Sequence, residues 1–187
     1  MTEVSPDRDL LARVAASDRA AMRALFARHN VRVFRFLVRR VKNEAIAEEL
    51  VNEVFLDVWR QAGRFEGRSS ASTWMLAIAH NKAMSMLRKK REHELDDEQA
   101  AGIADSGDNP ELTAQKSSKA ALIRQVISAL SAEHGEVIDL VYYHEKSIRE
   151  VAEIVGIPEA TVKTRMHYAR KQLGSRLKEA GIDRGWP

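Results

Sequence analysis

Apolar side chains recur every three or four residues along most of the chain, and no apolar–polar alternation is long enough to predict a strand. Such spacing places the apolar positions on one face of a helix. The segments that carry it are separated by polar and small residues of the kind that begin or end helices. The pattern predicts an all-α protein with two small helical domains joined by a flexible linker.

The first domain is predicted over residues 1–91. A short helix covers residues 9–16, Ser17 caps a longer second helix, and Asn43 caps a third helix over 44–62. The second helix should turn one apolar side toward the core. Its predicted core residues are Leu25, Phe26, Val33, Phe36 and Leu37.

A loop follows at residues 63–72, GRFEGRSSAS, as its glycines and serines indicate. Thr73 can cap a fourth helix that begins with WMLAIA and ends in RKKR. Residues 74–91 contain five cations and no carboxylate, which favours an anionic polymer as partner. These cations are Lys82, Arg88, Lys89, Lys90 and Arg91.

Residues 92–117 are predicted to be an acidic, flexible linker. Eight carboxylates and no lysine or arginine fall within residues 92–111, and large apolar groups are scarce. A coil of this length spans roughly 28 Å on average, so the two domains that it joins can act at separate places.

The second domain, residues 118–187, ends in the most informative segment of the chain. Ser147 and Glu150 form a capping box, Gly156 can end that helix in a left-handed conformation, and Pro158 suits the first turn of the next. This arrangement predicts a helix-turn-helix whose second helix is basic. Two earlier helices complete the domain, one around Leu122 to Leu130 and one capped by Ser131. A basic, solvated hairpin is the alternative.

Composition narrows the chemistry further. The chain has 187 residues, a net charge of +3 and no cysteine, which excludes disulfides and thiolate metal sites. Its polar N-terminus does not resemble a signal peptide, and no apolar run approaches the ~18 residues of a membrane span. We therefore expect a cytoplasmic protein without membrane insertion.

No nucleophile–base pair or phosphate loop appears, so no catalytic residue, cofactor or metal site is predicted and an enzyme is rejected. The scattered histidines are His29, His80, His93, His134, His144 and His167.

Two stretches resemble a known family. AEELVNEVFLDVWRQAGRFEGRSSASTWMLAIAHNKAMSMLRKKR, residues 47–91, resembles region 2 of bacterial sigma factors, closest to the extracytoplasmic-function (ECF) group of the sigma-70 family. The segment IPEATVKTRMHYARKQL resembles region 4 of the same group. The resemblance implies a promoter-specificity subunit that binds core RNA polymerase and promoter DNA, and that an anti-sigma factor holds inactive.

The resemblance also implies which residues act. The residues implied to dock on the polymerase lie on the outward face of the third helix: Glu48, Glu49, Asn52, Glu53, Leu56 and Asp57. Those implied to bind the opened −10 element are Arg64, Phe65, Arg68, Ser69, Ser70, Ser72, Asn81, Lys82, Arg88, Lys89, Lys90 and Arg91. Those implied to bind the −35 duplex are Arg149, Lys163, Thr164, Arg165, His167, Tyr168, Arg170 and Lys171.

Some assignments have competing interpretations. Phe65 and Trp74 fit either a stacking surface or the core, and the acidic face of the third helix could be merely solvated. Val162 and Met166 are interpreted as core. Ala71 stands where many relatives carry a bulkier residue, which leaves open how the loop is supported.

Two other functions compete with a sigma factor. One is a sigma-like decoy that binds an anti-sigma factor without touching DNA, and such a mimic should have lost its cations. The other is a helix-turn-helix repressor with an N-terminal dimerisation domain, which would explain neither the 63–72 loop nor the basic run at 88–91.

Overall fold

The computed structural model describes residues 6–100 and 125–179, with the backbone alone at 94–100. Within these ranges every regular element is helical, which confirms the all-α prediction. The elements are α1 (Pro6–Ala15), α2 (Arg19–Val41), α3 (Glu44–Gln61), a 3₁₀ turn (Ala62–Arg64), α4 (Ala71–Ala100), α5 (Ala132–Ile138), a π-helical turn (Asp139–Tyr143), α6 (Ile148–Val155) and α7 (Glu159–Glu179).

Helices α1 to α4 form the N-terminal unit, in which α2 packs against the other three. Its core contains apolar side chains from all four helices, spaced three or four residues apart within each helix as the sequence predicts. The largest fully buried members are Leu11, Val14, Leu25, Val33, Phe36, Leu37, Met75 and Leu76. Each such side chain stabilises the fold by about 1.5–3 kcal/mol relative to an exposed one.

Phe26, predicted as core, is 39% exposed. Its ring packs edge-on against Phe55 of α3, with ring centroids 4.7 Å apart. It therefore covers the rim of the core instead of filling the interior, because the adjacent Leu25 already occupies the inward position of that turn.

The start of α2 corrects one predicted cap. Asp18, not Ser17, accepts the free amides, with Oδ1 2.8 Å from the nitrogen of Ala20 and 3.0 Å from that of Ala21. Ser17 instead has a φ of 66° and forms the tight turn between α1 and α2. A left-handed residue cannot present its side chain as a cap, which needs extended backbone. The α1 helix also begins earlier than predicted, at Pro6, a residue suited to a first turn.

The start of α4 corrects a second cap. Asn43 caps α3 as predicted, accepting from the amide of Ile46 at 3.0 Å. In contrast, α4 begins at Ala71, and Ser70 accepts from the amide of Thr73 at 3.2 Å. Thr73 is therefore a residue of the first turn, and its side chain is buried.

The end of α4 differs from the predicted linker. The helix continues to Ala100, nine residues beyond Arg91, so residues 92–100 are helical. Helix formation there is favoured by its straight-chain glutamates. The rest of the predicted linker, from residue 101, lies outside the described residues, as do Leu122 and Ile123 of the next predicted helix.

The C-terminal unit comprises a helical segment at residues 125–128, α5, the π-helical turn, α6 and α7. The first segment belongs to the helix predicted around Leu122 to Leu130, and its Val126 is buried. Ser131 caps α5, and Ser147 and Glu150 form both hydrogen bonds of the capping box, as predicted. Gly156 ends α6 with a φ of 71°, also as predicted. The core between α6 and α7 includes Val151, Ile154, Val162, Met166 and Leu173. This is the helix-turn-helix that the sequence predicts.

Gly156 provides a test of this turn. A Cβ added there would meet nothing within 4 Å, so the effect of Gly156→Ala should come from the left-handed backbone alone. We expect a loss of about 1–2 kcal/mol in the free energy of unfolding, measured by urea denaturation. Gly174→Ala is the matched control, since Gly174 is helical and also has open space. It should gain about 0.5–1 kcal/mol, and equal effects at the two positions would contradict the assignment.

Candidate nucleic-acid and polymerase interface

The loop at residues 63–72 is supported by α1. Gly67 has a φ of 70°, and a Cβ added there would lie 2.9 Å from the guanidinium carbon of Arg8. At the start of the loop, Gly63 lies beside Ala15. The rings of Phe65 and Trp74 pack at 5.3 Å between centroids. These contacts explain how the loop keeps its shape with the small, buried Ala71 at the start of α4.

The loop presents cations and hydroxyl groups at its surface. Arg64 and Arg68 are exposed, and Arg68 lies 2.5 Å from Glu66. Ser70 is exposed, and Ser69 and Ser72 are half-buried. Phe65 is half-buried as well. Part of its ring packs on Trp74 and part is open to solvent, so its exposure fits both the core and the stacking interpretation.

Beyond the loop, α4 presents Asn81 to solvent, whereas Lys82 is bound to α3. The ammonium of Lys82 lies 3.0 Å from Asp57 and 3.2 Å from Glu53. The hydrogen bond to Asp57 is the main cause that raises the pKa of Lys82. The basic run that follows is exposed throughout, with Arg88 3.9 Å from Glu92. The members of this run are Arg88, Lys89, Lys90 and Arg91.

The outward face of α3 is acidic with one apolar side chain. Leu56 is 46% exposed. Around it lie four exposed polar residues and the half-buried Asp57. The four are Glu48, Glu49, Asn52 and Glu53. The structure thus gathers all six residues implied for polymerase docking on one face.

Helix α7 has one buried face and one exposed face, and neighbouring residues fall on different faces. Val162 and Met166 are buried, as interpreted, while Lys163, Thr164 and His167 are exposed. The Thr164 hydroxyl donates to the carbonyl of Ala160 at 3.0 Å. Exposed Tyr168 packs edge-on against His167, 5.5 Å between ring centroids.

Four cations of the set implied for the −35 duplex are candidates for phosphate contacts that fix the register, and they differ in their surroundings. Arg149, Arg170 and Lys171 are exposed. Arg170 donates to the hydroxyl of Tyr142 at 3.1 Å. Arg165 is half-buried and lies 3.0 Å from Glu133 of α5. Arg165 therefore joins α7 to α5 in this arrangement, and its availability to a phosphate requires that ion pair to break.

The sequence did not reveal a polar cluster that joins the two units. Lys146 lies just before α6, and its ammonium contacts Ser72, Thr73 and Glu150. Burial lowers the pKa of Lys146 despite the opposing attraction of Glu150. Partial burial by itself raises the pKa of Glu150, but hydrogen bonds from Thr73 and Ser147 outweigh it and lower the pKa to about 2. No local pattern links residues more than 70 positions apart.

The described residues contain neither a candidate metal site nor a membrane-spanning helix. Residues 6–100 and 125–179 contain no cluster of three His, Asp or Glu side chains that could hold a metal ion. Among the helices of the same ranges, none has the length and hydropathy of a membrane span.

The geometry defines an all-helical protein with a helix-turn-helix and a separate basic, loop-led helix. Residues 25–93 match the family model Sigma-70 region 2, and residues 120–173 match Sigma-70, region 4. The ECF RNA polymerase sigma factor SigL of Mycobacterium tuberculosis is 34% identical over 175 residues, covering 91% of this chain and 96% of SigL. The RNA polymerase sigma factor CarQ of Myxococcus xanthus is 31% identical, covering 87% of this chain and 92% of CarQ.

A solved structure agrees with these relatives. The sigma factor RpoE of Bartonella quintana, in complex with the anti-sigma factor NepR, is 25% identical. It superposes with a TM-score of 0.66 over 87% of this chain and 98% of RpoE. The chain therefore belongs to the ECF group of the sigma-70 family. It is an alternative sigma factor for transcription initiation and not an enzyme.

Proposed function

We propose that this sigma factor binds core RNA polymerase through the outward face of α3, reads the −35 duplex with α7, and opens the −10 element with the 63–72 loop and α4. The observation that supports this most is the presence of two separate basic surfaces, one on each unit. A duplex reader alone would need only the helix-turn-helix. The second surface has the exposed cations and hydroxyls that suit an unpaired strand.

We further propose that the protein works in the cytoplasm, where its polymerase and promoters are, and that an anti-sigma factor restrains it. The solved complex of the similar RpoE with an anti-sigma factor supports the second point. The decoy alternative is disfavoured because the exposed cations of both surfaces are retained.

The direct test mixes the purified full chain with core polymerase and a library of promoter fragments, and then sequences the transcripts. A sigma factor enriches transcripts that start downstream of one shared pair of −35 and −10 elements. Polymerase binding without promoter opening would support the decoy instead. No polymerase binding at all would exclude the sigma-factor function.

The library also separates base contacts from phosphate contacts on α7. Lys163→Ala should relax the preference at one base pair of the −35 element, equivalent to about 1–3 kcal/mol, because lysine can bind guanine edges in the major groove. Lys171→Ala is a matched control, since it removes the same exposed side chain at a position implied for phosphate. It should weaken all promoters about equally. Equal sequence preference in both variants would remove Lys163 from base reading.

A further inference from the structure

The two units contact each other at the site proposed to bind the −10 strand. The Lys146 side chain is only 5% exposed. Its ammonium lies 2.6 Å from the Ser72 hydroxyl, 3.0 Å from that of Thr73 and 3.3 Å from a Glu150 carboxylate oxygen. The Ser70 hydroxyl lies 3.4 Å away, so the three donors of the ammonium group have four oxygen partners within reach. Thr73 also donates to Glu150 at 2.6 Å, so the serine–threonine edge of α4 is occupied by the C-terminal unit.

A second polar contact lies further along the same interface. The Glu136 side chain is 2% exposed, with its carboxylate 2.7 Å from His80 of α4 and 3.0 Å from Arg40 of α2. Arg40 also donates to the carbonyl of Ala132 at 3.0 Å. Beside it, Arg39 is paired with Asp139 and lies 4.0 Å from the centre of the Tyr143 ring.

The chemistry of these contacts makes the interface reversible. Ions that are buried only by docking lose hydration, and their pairing roughly compensates for that loss. When the units separate, water solvates each charged group again. Polar interfaces between domains accordingly allow the domains to move.

We propose that these contacts hold the free protein in a closed, self-inhibited arrangement, in which Lys146 occupies the Ser70 and Ser72 hydroxyl groups that the −10 strand would contact. Glu150 and Thr73 hold the ammonium of Lys146 in that position. This inference rests on the proposed function, because it assigns a regulation to the same site. Strand binding and closure exclude each other, since one surface cannot hold both. The affinity for a single strand is then reduced by the fraction of molecules that are closed.

The test compares Lys146→Met with Lys178→Met in the full chain. Methionine keeps the length of the side chain and removes the ammonium, and Lys178 is an exposed control at the end of α7. Because the chain has no cysteine, spin labels at R23C and Q172C report the separation of the units by double electron–electron resonance. Binding of a fluorescent 15-nucleotide single strand of mixed sequence is measured by anisotropy.

The closed arrangement predicts one narrow distance distribution in the parent and in Lys178→Met, and a broader, shifted distribution in Lys146→Met. It also predicts about tenfold tighter strand binding by Lys146→Met, since hydrogen bonds to a charged group are lost only from the closed state. Removing a cation would by itself weaken binding of the strand, so a gain in strand affinity cannot come from the lost charge. Glu136→Gln, at the second contact, should open the protein in the same way and guards against a local folding defect at residue 146.

Unchanged distances in Lys146→Met and Glu136→Gln would overturn the proposal, and so would opening without a gain in strand affinity. Failure of the proposed function is recognised separately. It would leave the parent protein unable to initiate transcription with core polymerase, whatever the distance between the units.

Discussion

Replacing Arg88, Lys89, Lys90 and Arg91 together by alanine is expected to reduce open-complex formation by about 100-fold at 0.15 M salt. All four side chains are exposed on α4. Each cation that contacts a single-strand phosphate releases roughly 0.7 of a counterion. Four such contacts account for a slope of about 3 in a plot of log affinity against log salt concentration. The measurement is permanganate footprinting of the −10 element at several salt concentrations, with polymerase in excess.

A matched quadruple variant controls for the change in net charge. Arg19, Arg23, Arg176 and Lys178 are also exposed cations, and none is implied in DNA binding. Their replacement by alanine should leave the salt slope near that of the parent protein. If both quadruple variants show the same slope, the basic run is a solvated helix end and not a DNA contact.

The elements of this fold could be predicted from the sequence because they depend on neighbouring residues. The capping box at Ser147 and the turn at Gly156 are set by side chains within a few positions. The same locality limits the prediction of caps. Ser17 and Asp18 are equally good candidates by type, and only the turn from α1 decides between them. Ser70 and Thr73 are also both suitable caps by residue type. The sequence does not show that Thr73 is buried under the C-terminal unit and that Ser70 is therefore the cap of α4.

The candidate site was predictable as a set of exposed residues, but the partners of its charged members were not. The sequence indicates that Lys82 lies on α4, yet its ion pairs to Glu53 and Asp57 arise from the packing of α4 on α3. The acidic linker suggested two independent units. The contacts that Lys146, Glu150 and Glu136 make with residues 72–80 span 56 to 77 positions of the chain, and they depend on how whole helices dock. No periodic pattern carries that information.

Leu56→Asp is expected to weaken the affinity for core polymerase by 100-fold or more, the second large effect. Leu56 is the exposed apolar side chain in the middle of an acidic face. If this face docks on the polymerase, the leucine lies in the dry centre of the contact. A carboxylate there would be an unpaired buried charge, which costs about 3–5 kcal/mol. The free protein should lose little stability, because the side chain already contacts water. Biolayer interferometry with immobilised core polymerase measures the affinity.

Val31→Asp gives the control for an exposed apolar position. Val31 is 52% exposed on α2, and the same substitution there introduces the same charge outside the proposed docking face. It should bind core polymerase with the affinity of the parent. Because both variants carry one added carboxylate in a helix, they share any small loss of helix propensity. Equal affinities for the two variants would show that the outward face of α3 is solvated and that polymerase binds another surface of the molecule.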